Sequence, residues 1–277
     1  MLRSLVLGAI QGLTEFVPIS SSAHLVLVPY LLNWPVPDLA FDVAVHLGTA
    51  LAVVVYFWRD LWAIAGGAAR TVAGRGREGD REHARLALLL VVASVPAAIA
   101  GILLEGPFEE LFTTSEDVDR IGAPVVAGFL VVTAALLVAA DAVHRRRPER
   151  RGMSSVGLLD AVVVGLFQAL AIAPGISRSG ATIGAGMFRG LSRDAAARFS
   201  FLLGLPAIAG AALVALPDLR GADELGAIAA ATAVSAATGF AAIAFLLRWL
   251  RTRTLSPFAA YCVLAAAVVL AYWSQTR

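Results

Sequence analysis

Six stretches of this chain, at 39–58, 86–104, 121–140, 198–216, 225–247 and 256–273, are each long and apolar enough to cross a lipid bilayer. A helical crossing takes about 20 apolar residues, within a range of roughly 17–25. With 59% hydrophobic and 15% charged residues over 277 positions, the chain departs from soluble proteins, which run about 45–50% apolar and roughly 25% charged. An ordinary soluble enzyme, a disordered chain and a disulfide scaffold are excluded. The net charge of +2 comes from arginines gathered in short loops between apolar runs. That is no nucleic-acid footprint, and no nucleic-acid partner is expected. The fold class is an all-α polytopic membrane protein, with the lipid bilayer as its surroundings.

Two absences narrow the chemistry. All 22 basic residues are arginine, so a phosphate-binding Walker loop, which ends in Gly-Lys-Ser/Thr, is excluded. Schiff-base chemistry falls with it. The single cysteine, Cys262, sits in an apolar run without a partner and implies neither disulfide nor metal cluster.

Two further apolar regions are broken. Region 1–33 is interrupted by Gln11, Glu15, Pro18, a serine run and His24, and region 153–197 by Gln168, Pro174-Gly175 and a second serine cluster. The start is not a signal peptide, whose apolar core would not carry Gln11 and Glu15. Arginine placement sets orientation. Arg59 to Arg85, Arg145 to Arg151 and Arg248 to Arg253 mark cytoplasmic loops, with His83 and His144 solvated among them. The acidic loops around 105–119 and 218–224 then lie outside. This pattern holds if 1–33 dips in from outside and returns, while 153–197 does the same from inside. Both termini are then outside.

At a constant offset of 157, Gly8, Gln11, Leu13, Ile19, Ser20 and Ser22 match Gly165, Gln168, Leu170, Ile176, Ser177 and Ser179. With opposite entry sides, this reads as an inverted-topology repeat. The expectation is a single integral membrane domain, 1–277, with six transmembrane helices and two re-entrant helical hairpins. Its halves are 1–140, with re-entrant 1–33, and 153–277, with re-entrant 153–197. In such folds broken helices meet near the midplane and build the site, because irregular backbone at that depth must be buried or line a wet cavity.

Intramembrane ionisable groups are costly and default to functional candidates. Outside loops and span ends they are Glu15, His24, His46 and Arg178. Gln11 and Glu15, four apart, share a helix face, and a carboxylate beside an amide oxygen suits a hard cation such as Mg2+ or Ca2+. The plainer alternative is a buried Glu15 neutralised by Arg178. Segment 174–182 (PGISRSGAT) has the makings of an oxyanion cradle. Pro174, Gly175 and Gly180 keep backbone N–H groups free, while Ser177, Ser179 and Thr182 add donors. Arg178 supplies a planar fork for phosphate, and a helix starting near Thr182 aims its positive end there. The alternative is a capped helix break with a snorkelling arginine. Ser20, Ser21, Ser22 and His24 place hydroxyls and an imidazole within one turn, as a nucleophile or an acid–base pair requires; serine in a membrane helix otherwise serves packing.

Segment 11–24 (QGLTEFVPISSSAH) together with segment 174–182 resembles the undecaprenyl-diphosphatase family associated with bacitracin resistance. The resemblance runs over nearly the whole chain, including Phe199-Ser-Phe-Leu-Leu203 and the spacing of the spans. The chain has Gln11 where the family takes Glu or Gln, and Ser22-Ala23 where Thr-Gly is common. The resemblance implies a bacterial inner-membrane enzyme that removes the terminal phosphate of undecaprenyl pyrophosphate and recycles the lipid carrier for cell-wall synthesis. It also implies a pocket open to the outer side and a divalent cation. Type 2 phosphatidic acid phosphatases, whose motif begins with lysine, are excluded.

On that basis Glu15, Ser21, His24 and Arg178 are the expected catalytic residues. Gln11, Ser20, Ser22, Gly175, Ser177, Ser179, Thr182 and Gln168 are expected around the substrate, and Glu15 with Gln11 around the cation. Ser21 or His24 attacks phosphorus and the other handles protons, unless water attacks directly. A transporter or flippase for a polyprenyl phosphate is the competing class, since inverted repeats with broken helices also build carriers. The sequence leaves a homodimer open. Asp42 and His46 are set between pocket wall and helix packing, and Asp160 is read as an interfacial cap.

Overall fold

A computed structural model describes residues 1–35, 37–109, 122–146, 150–214 and 225–276, without the side chains of 105–109 and 211–214. The acidic residues expected outside from Glu110 to Asp119 and from Asp218 to Glu224, and Arg147, lie outside the described residues. Eleven α-helices follow one another, with no strand among the described residues. They are α1 (Leu2–Phe16), α2 (Ser21–Leu32), α3 (Leu39–Tyr56), α4 (Trp58–Val72), α5 (Glu78–Glu109), α6 (Ala123–Arg145), α7 (Leu158–Leu170), α8 (Arg178–Phe188), α9 (Arg193–Val214), α10 (Leu225–Leu250) and α11 (Ser256–Gln275).

Five helices, α3, α5, α6, α10 and α11, are long and apolar enough to cross a membrane. The chain is a polytopic membrane protein. The run expected as a span at 198–216 forms helix α9, whose first turns carry Arg193, Asp194 and Arg198, and residues 215–216 lie outside the described set. Each broken region is a pair of short helices around a non-helical turn, α1–α2 and α7–α8. A departure is α4, where an arginine-bearing loop was expected. A polar-flanked apolar stripe folded it as an amphipathic helix along α5.

Buried ion pairs tie the helix ends. Asp141 of α6 accepts from Arg193 Nη2 at 2.7 Å and from the Leu255 N–H at 2.6 Å, joining α6 to α9 and α11. Asp160 caps α7 by accepting from Gly157 N–H at 2.9 Å, and also takes Arg151 and Arg189. That hydrogen bonding raises the Arg151 guanidinium above its ordinary pKa. His144 is not solvated; it is buried beside this latch on the last turn of α6.

The sequence match at offset 157 has a counterpart in packing. Pair α1, α2, α3, α5 and α6 with α7, α8, α9, α10 and α11, and the contact α1–α10 exchanges with α5–α7. So do α3–α10 with α5–α9 and α2–α11 with α6–α8, while α3–α9 and α6–α11 map onto themselves. At Gly8 a Cβ would overlap the carbonyl of Ala231, and at Gly165 that of Ala93. Small residues let helix backbones approach this closely. Gly8→Ala and Gly165→Ala should each destabilise the detergent-solubilised protein by about 1–3 kcal/mol. Gly128→Ala, where nothing lies within 4 Å, should not lower stability. Equal melting temperatures for all three variants would contradict this packing.

Candidate active site

Proline and glycine set the two breaks. α1 stops at Phe16 because Val17, preceding Pro18, turns extended (φ −66°, ψ 132°). Ser20 then adopts φ 70°, uncommon without a glycine, and its Oγ caps α2 by accepting from Ala23 N–H at 3.3 Å. In the second break Gly175 takes φ 107°, where a Cβ would stand 2.6 Å from the Val126 carbonyl oxygen. Ser177 caps α8 by accepting from Gly180 N–H at 3.1 Å. Thr133 of α6 clamps this turn, donating to the Gly175 carbonyl and accepting from Ser177 N–H, both at 3.0 Å. Ser179 Oγ reaches the Val17 carbonyl at 3.4 Å, so the two breaks touch.

Where they meet, a pocket of about 240 Å³ opens. Six of the expected residues line it: Glu15, Ser20, Ser21, Ser22, Ser177 and Arg178. Glu15 is buried, and Arg178, Ser21 and Gln11 all donate to its carboxylate. Arg178 Nη2 donates to Oε1. Ser21 Oγ donates to Oε2 at 2.5 Å, and Gln11 Nε2 to the same oxygen at 3.0 Å. The carboxylate therefore holds a hydroxyl and a guanidinium on its two oxygens, both from the first residue of a helix. Arg178 starts α8, four residues before the expected helix start near Thr182, so segment 178–182 is a helical turn rather than an open cradle.

The guanidinium lies against Gly204 of α9, where any Cβ would overlap it. Arg178 Nη1 is buried with no acceptor among the described residues. An unpaired guanidinium nitrogen costs free energy unless a ligand oxygen takes it.

The fourth wall is α3. Asp38 caps it by accepting from Phe41 N–H at 2.7 Å, and this aims Asp42 and His46, one turn apart, at Glu15. His46 Nδ1 pairs with the Asp42 carbonyl at 2.8 Å, and Nε2 stands 3.7 Å from Glu15 Oε2. Both residues line the pocket, which settles the sequence's open choice between wall and packing. Apolar Leu39, Val43, Ala171, Ile176, Ala207 and Ile208 complete the lining.

The other expected residues lie elsewhere. His24 is outside the lining; its Nδ1 pairs with the Ser20 carbonyl and its Nε2 with the Tyr261 hydroxyl, both at 2.7 Å, and its ring stacks on that tyrosine. Both nitrogens are thus engaged, which leaves Ser21 the hydroxyl in contact with the acid. Thr182 Oγ1 donates to the Arg178 carbonyl at 2.7 Å and meets Ser200 Oγ at 2.6 Å. Gly175 and Ser179 shape the second break, and Gln11 sits behind Glu15. Gln168 is buried with neither amide atom hydrogen-bonded. Thr133 carried no sequence signal, being one more hydroxyl in an apolar helix.

A hard cation fits the donors. Gln11 Oε1 is buried and unpartnered, and amide rotation would put it at the 3.0 Å that Nε2 now stands from the carboxylate oxygen. Two adjacent oxygens around Mg2+ at its usual ~2.1 Å bond length lie about that far apart. Among the described residues no group of three or more His, Cys, Asp and Glu forms a metal cage. Water and substrate oxygens would fill the rest, as Mg2+ prefers.

Comparison with known proteins finds relatives along nearly the whole chain. The family model described as bacitracin resistance protein BacA matches residues 4–268. The chain is 46% identical over 275 residues to the undecaprenyl-diphosphatase of Pelobacter propionicus, covering 98% of this chain and 96% of that protein. It is 43% identical to the undecaprenyl-diphosphatase of Moorella thermoacetica, with 99% and 98% covered, and 44% identical to that of Geobacter sulfurreducens, with 98% of each covered. A chain that shares this much of its length and sequence with them belongs to the bacitracin resistance protein BacA family.

Proposed function

We propose that the pocket hydrolyses the terminal phosphate of undecaprenyl pyrophosphate, giving undecaprenyl phosphate and inorganic phosphate and so recycling the lipid carrier used in cell-wall synthesis. The observation that carries this is Ser21 and Arg178 on the two oxygens of Glu15. A serine in short contact with a buried carboxylate is a nucleophile with its base, and the adjacent guanidinium is the fork that phosphate needs. A carrier needs binding groups but no hydroxyl on a carboxylate.

The steps balance on these residues. The terminal phosphate enters with its oxygens on Arg178, including the unpaired Nη1, at the N-terminus of α8. Ser21 Oγ attacks the terminal phosphorus, its proton passes to Glu15 Oε2, and the bridging P–O bond breaks to release the polyprenyl phosphate. Water then attacks the phosphoserine: His46 Nε2, beside the same carboxylate, takes the water's proton, the Ser21 Oγ–P bond breaks, Glu15 returns its proton to Ser21 Oγ, and inorganic phosphate leaves as His46 gives up its proton to solvent. Arg178 neutralises charge on the equatorial oxygens throughout, the main source of catalysis in phosphoryl transfer. A divalent cation held by Glu15 and Gln11 would supply further neutralisation of the pyrophosphate. His24 acts by bracing: through the Ser20 carbonyl and Tyr261 it fixes the strained turn that presents Ser21.

Halves 1–140 and 153–277 are proposed as inverted repeats, supported by the exchange of helix contacts. Membership of the BacA family supports a bacterial inner-membrane location, and arginine placement supports this pocket and both termini outside.

Arg178→Lys should lower phosphate release from undecaprenyl pyrophosphate by about 10²–10³-fold, the loss typical of one electrostatic donor. Full activity would end the bidentate role. Acid quench during turnover should trap phosphate on Ser21, and Ser21→Ala should abolish both trapping and turnover; a Ser21→Ala enzyme that still turns over would point to water as nucleophile. His46→Ala should reduce kcat by about 10²–10⁴-fold, the range for a general acid–base group, with KM little changed. An unaltered kcat would remove His46 from the proton path.

A further inference from the structure

A larger cavity, of about 620 Å³, lies apart from the catalytic pocket, between α4, the start of α5, the Met153–Ser155 turn and the start of α9. It shares no lining residue with the pocket around Glu15. Its size falls in the usual range for ligand sites, roughly 300–1,000 Å³. Phe57, Ile64, Leu86, Leu89 and Leu202 make an apolar floor. Charged groups of both signs make the mouth. Trp58 and Trp62 of α4 are 58% and 79% exposed, and tryptophans so placed on an amphipathic helix sit at head-group depth.

The charges at the mouth are incompletely paired. Arg59 lies over the Trp58 ring, and Arg85 donates through Nη2 to the Val156 carbonyl at 2.9 Å; neither has a carboxylate partner among the described residues. Asp194 accepts from Arg198 Nε through Oδ2 at 3.1 Å, but its Oδ1 is buried with no hydrogen bond. Arg251 Nε is 3.8 Å from that oxygen, beyond hydrogen-bonding distance. The mouth therefore offers an anion two guanidinium groups that lack a carboxylate partner and, on the α9 wall, a carboxylate oxygen short of a donor. Asp60 and Glu82 add further negative charge there, which disfavours a doubly charged phosphate monoester.

We infer that this cavity binds a phospholipid with a zwitterionic, amine-bearing head group. The phosphate diester lies between Arg59 and Arg85, the ammonium donates to Asp194 Oδ1, and an acyl chain covers the floor. This assignment does not depend on the hydrolytic role of the other pocket.

Native mass spectrometry of the full-length protein, delipidated in detergent and offered phosphatidylethanolamine, phosphatidylcholine or phosphatidylglycerol singly, tests it. Phosphatidylethanolamine should be retained about ten-fold more tightly than phosphatidylcholine, whose quaternary nitrogen cannot donate, as expected for one charged hydrogen bond. Asp194→Asn should erase that preference. Ala63→Trp, which fills the cavity from a partly exposed position on α4, should abolish retention of all three lipids. Both variants should keep wild-type phosphate release, which verifies that they fold. Equal retention of phosphatidylethanolamine and phosphatidylcholine by the wild type would overturn the inference. So would unchanged retention by Ala63→Trp, stronger binding of phosphatidylglycerol, or displacement of phosphatidylethanolamine by equimolar polyprenyl monophosphate.

Discussion

A single buried carboxylate organises this membrane protein. Burying an isolated charge among apolar helices is strongly unfavourable, and its removal from water is offset only by paired, hydrogen-bonded partners. Glu15 obtains those partners from three places: Gln11 one turn back, Ser21 across the first break and Arg178 across the second. The ion pair cannot form unless both breaks are made and touching. The unusual backbone at Ser20 and Gly175, and the Thr133 clamp on the second turn, are the means by which the two helix starts arrive at one point.

Much of this was legible in the residues. The apolar runs gave five of the membrane-spanning helices, and Pro18, Pro174 and Gly175 marked where the remaining apolar stretches must break. The pairing of Glu15 with Arg178 was the plainer alternative to a cation site, suggested by the cost of placing either alone in a membrane. Helix α4 was hidden because Arg59, Arg70 and Arg75 bracket it as a loop would be bracketed, and only its apolar stripe, packed on α5, makes it a helix. The sixth apolar run, 198–216, starts inside α9, whose first turns carry Arg193, paired with Asp141 of α6, and Asp194, paired with Arg198 one turn along the same helix.

Within the site, identity was easier to read than direction. His24 sits in the same serine-rich motif as Ser21, but three residues along a helix turn it towards Tyr261, 237 positions away, which no local pattern could announce. His46 belongs to a plain apolar span and reaches the pocket because α3 crosses beside α1. His144 shows the same effect in reverse: it neighbours a run of arginines in sequence and packs into the protein in space.

Ser21 and Arg178 stand 157 positions apart, the same separation that aligns the two helix breaks. Each is the first residue of the helix after its break, one a hydroxyl and one a cation, and both converge on an acid that only the first break possesses. Two identical copies of one such break would have to present the same side chain at both points, giving two serines or two arginines. Division of labour across this centre therefore requires that the two breaks be free to differ in sequence. Carrying both on one polypeptide supplies that freedom, and makes the centre asymmetric although several helix contacts around it exchange in pairs.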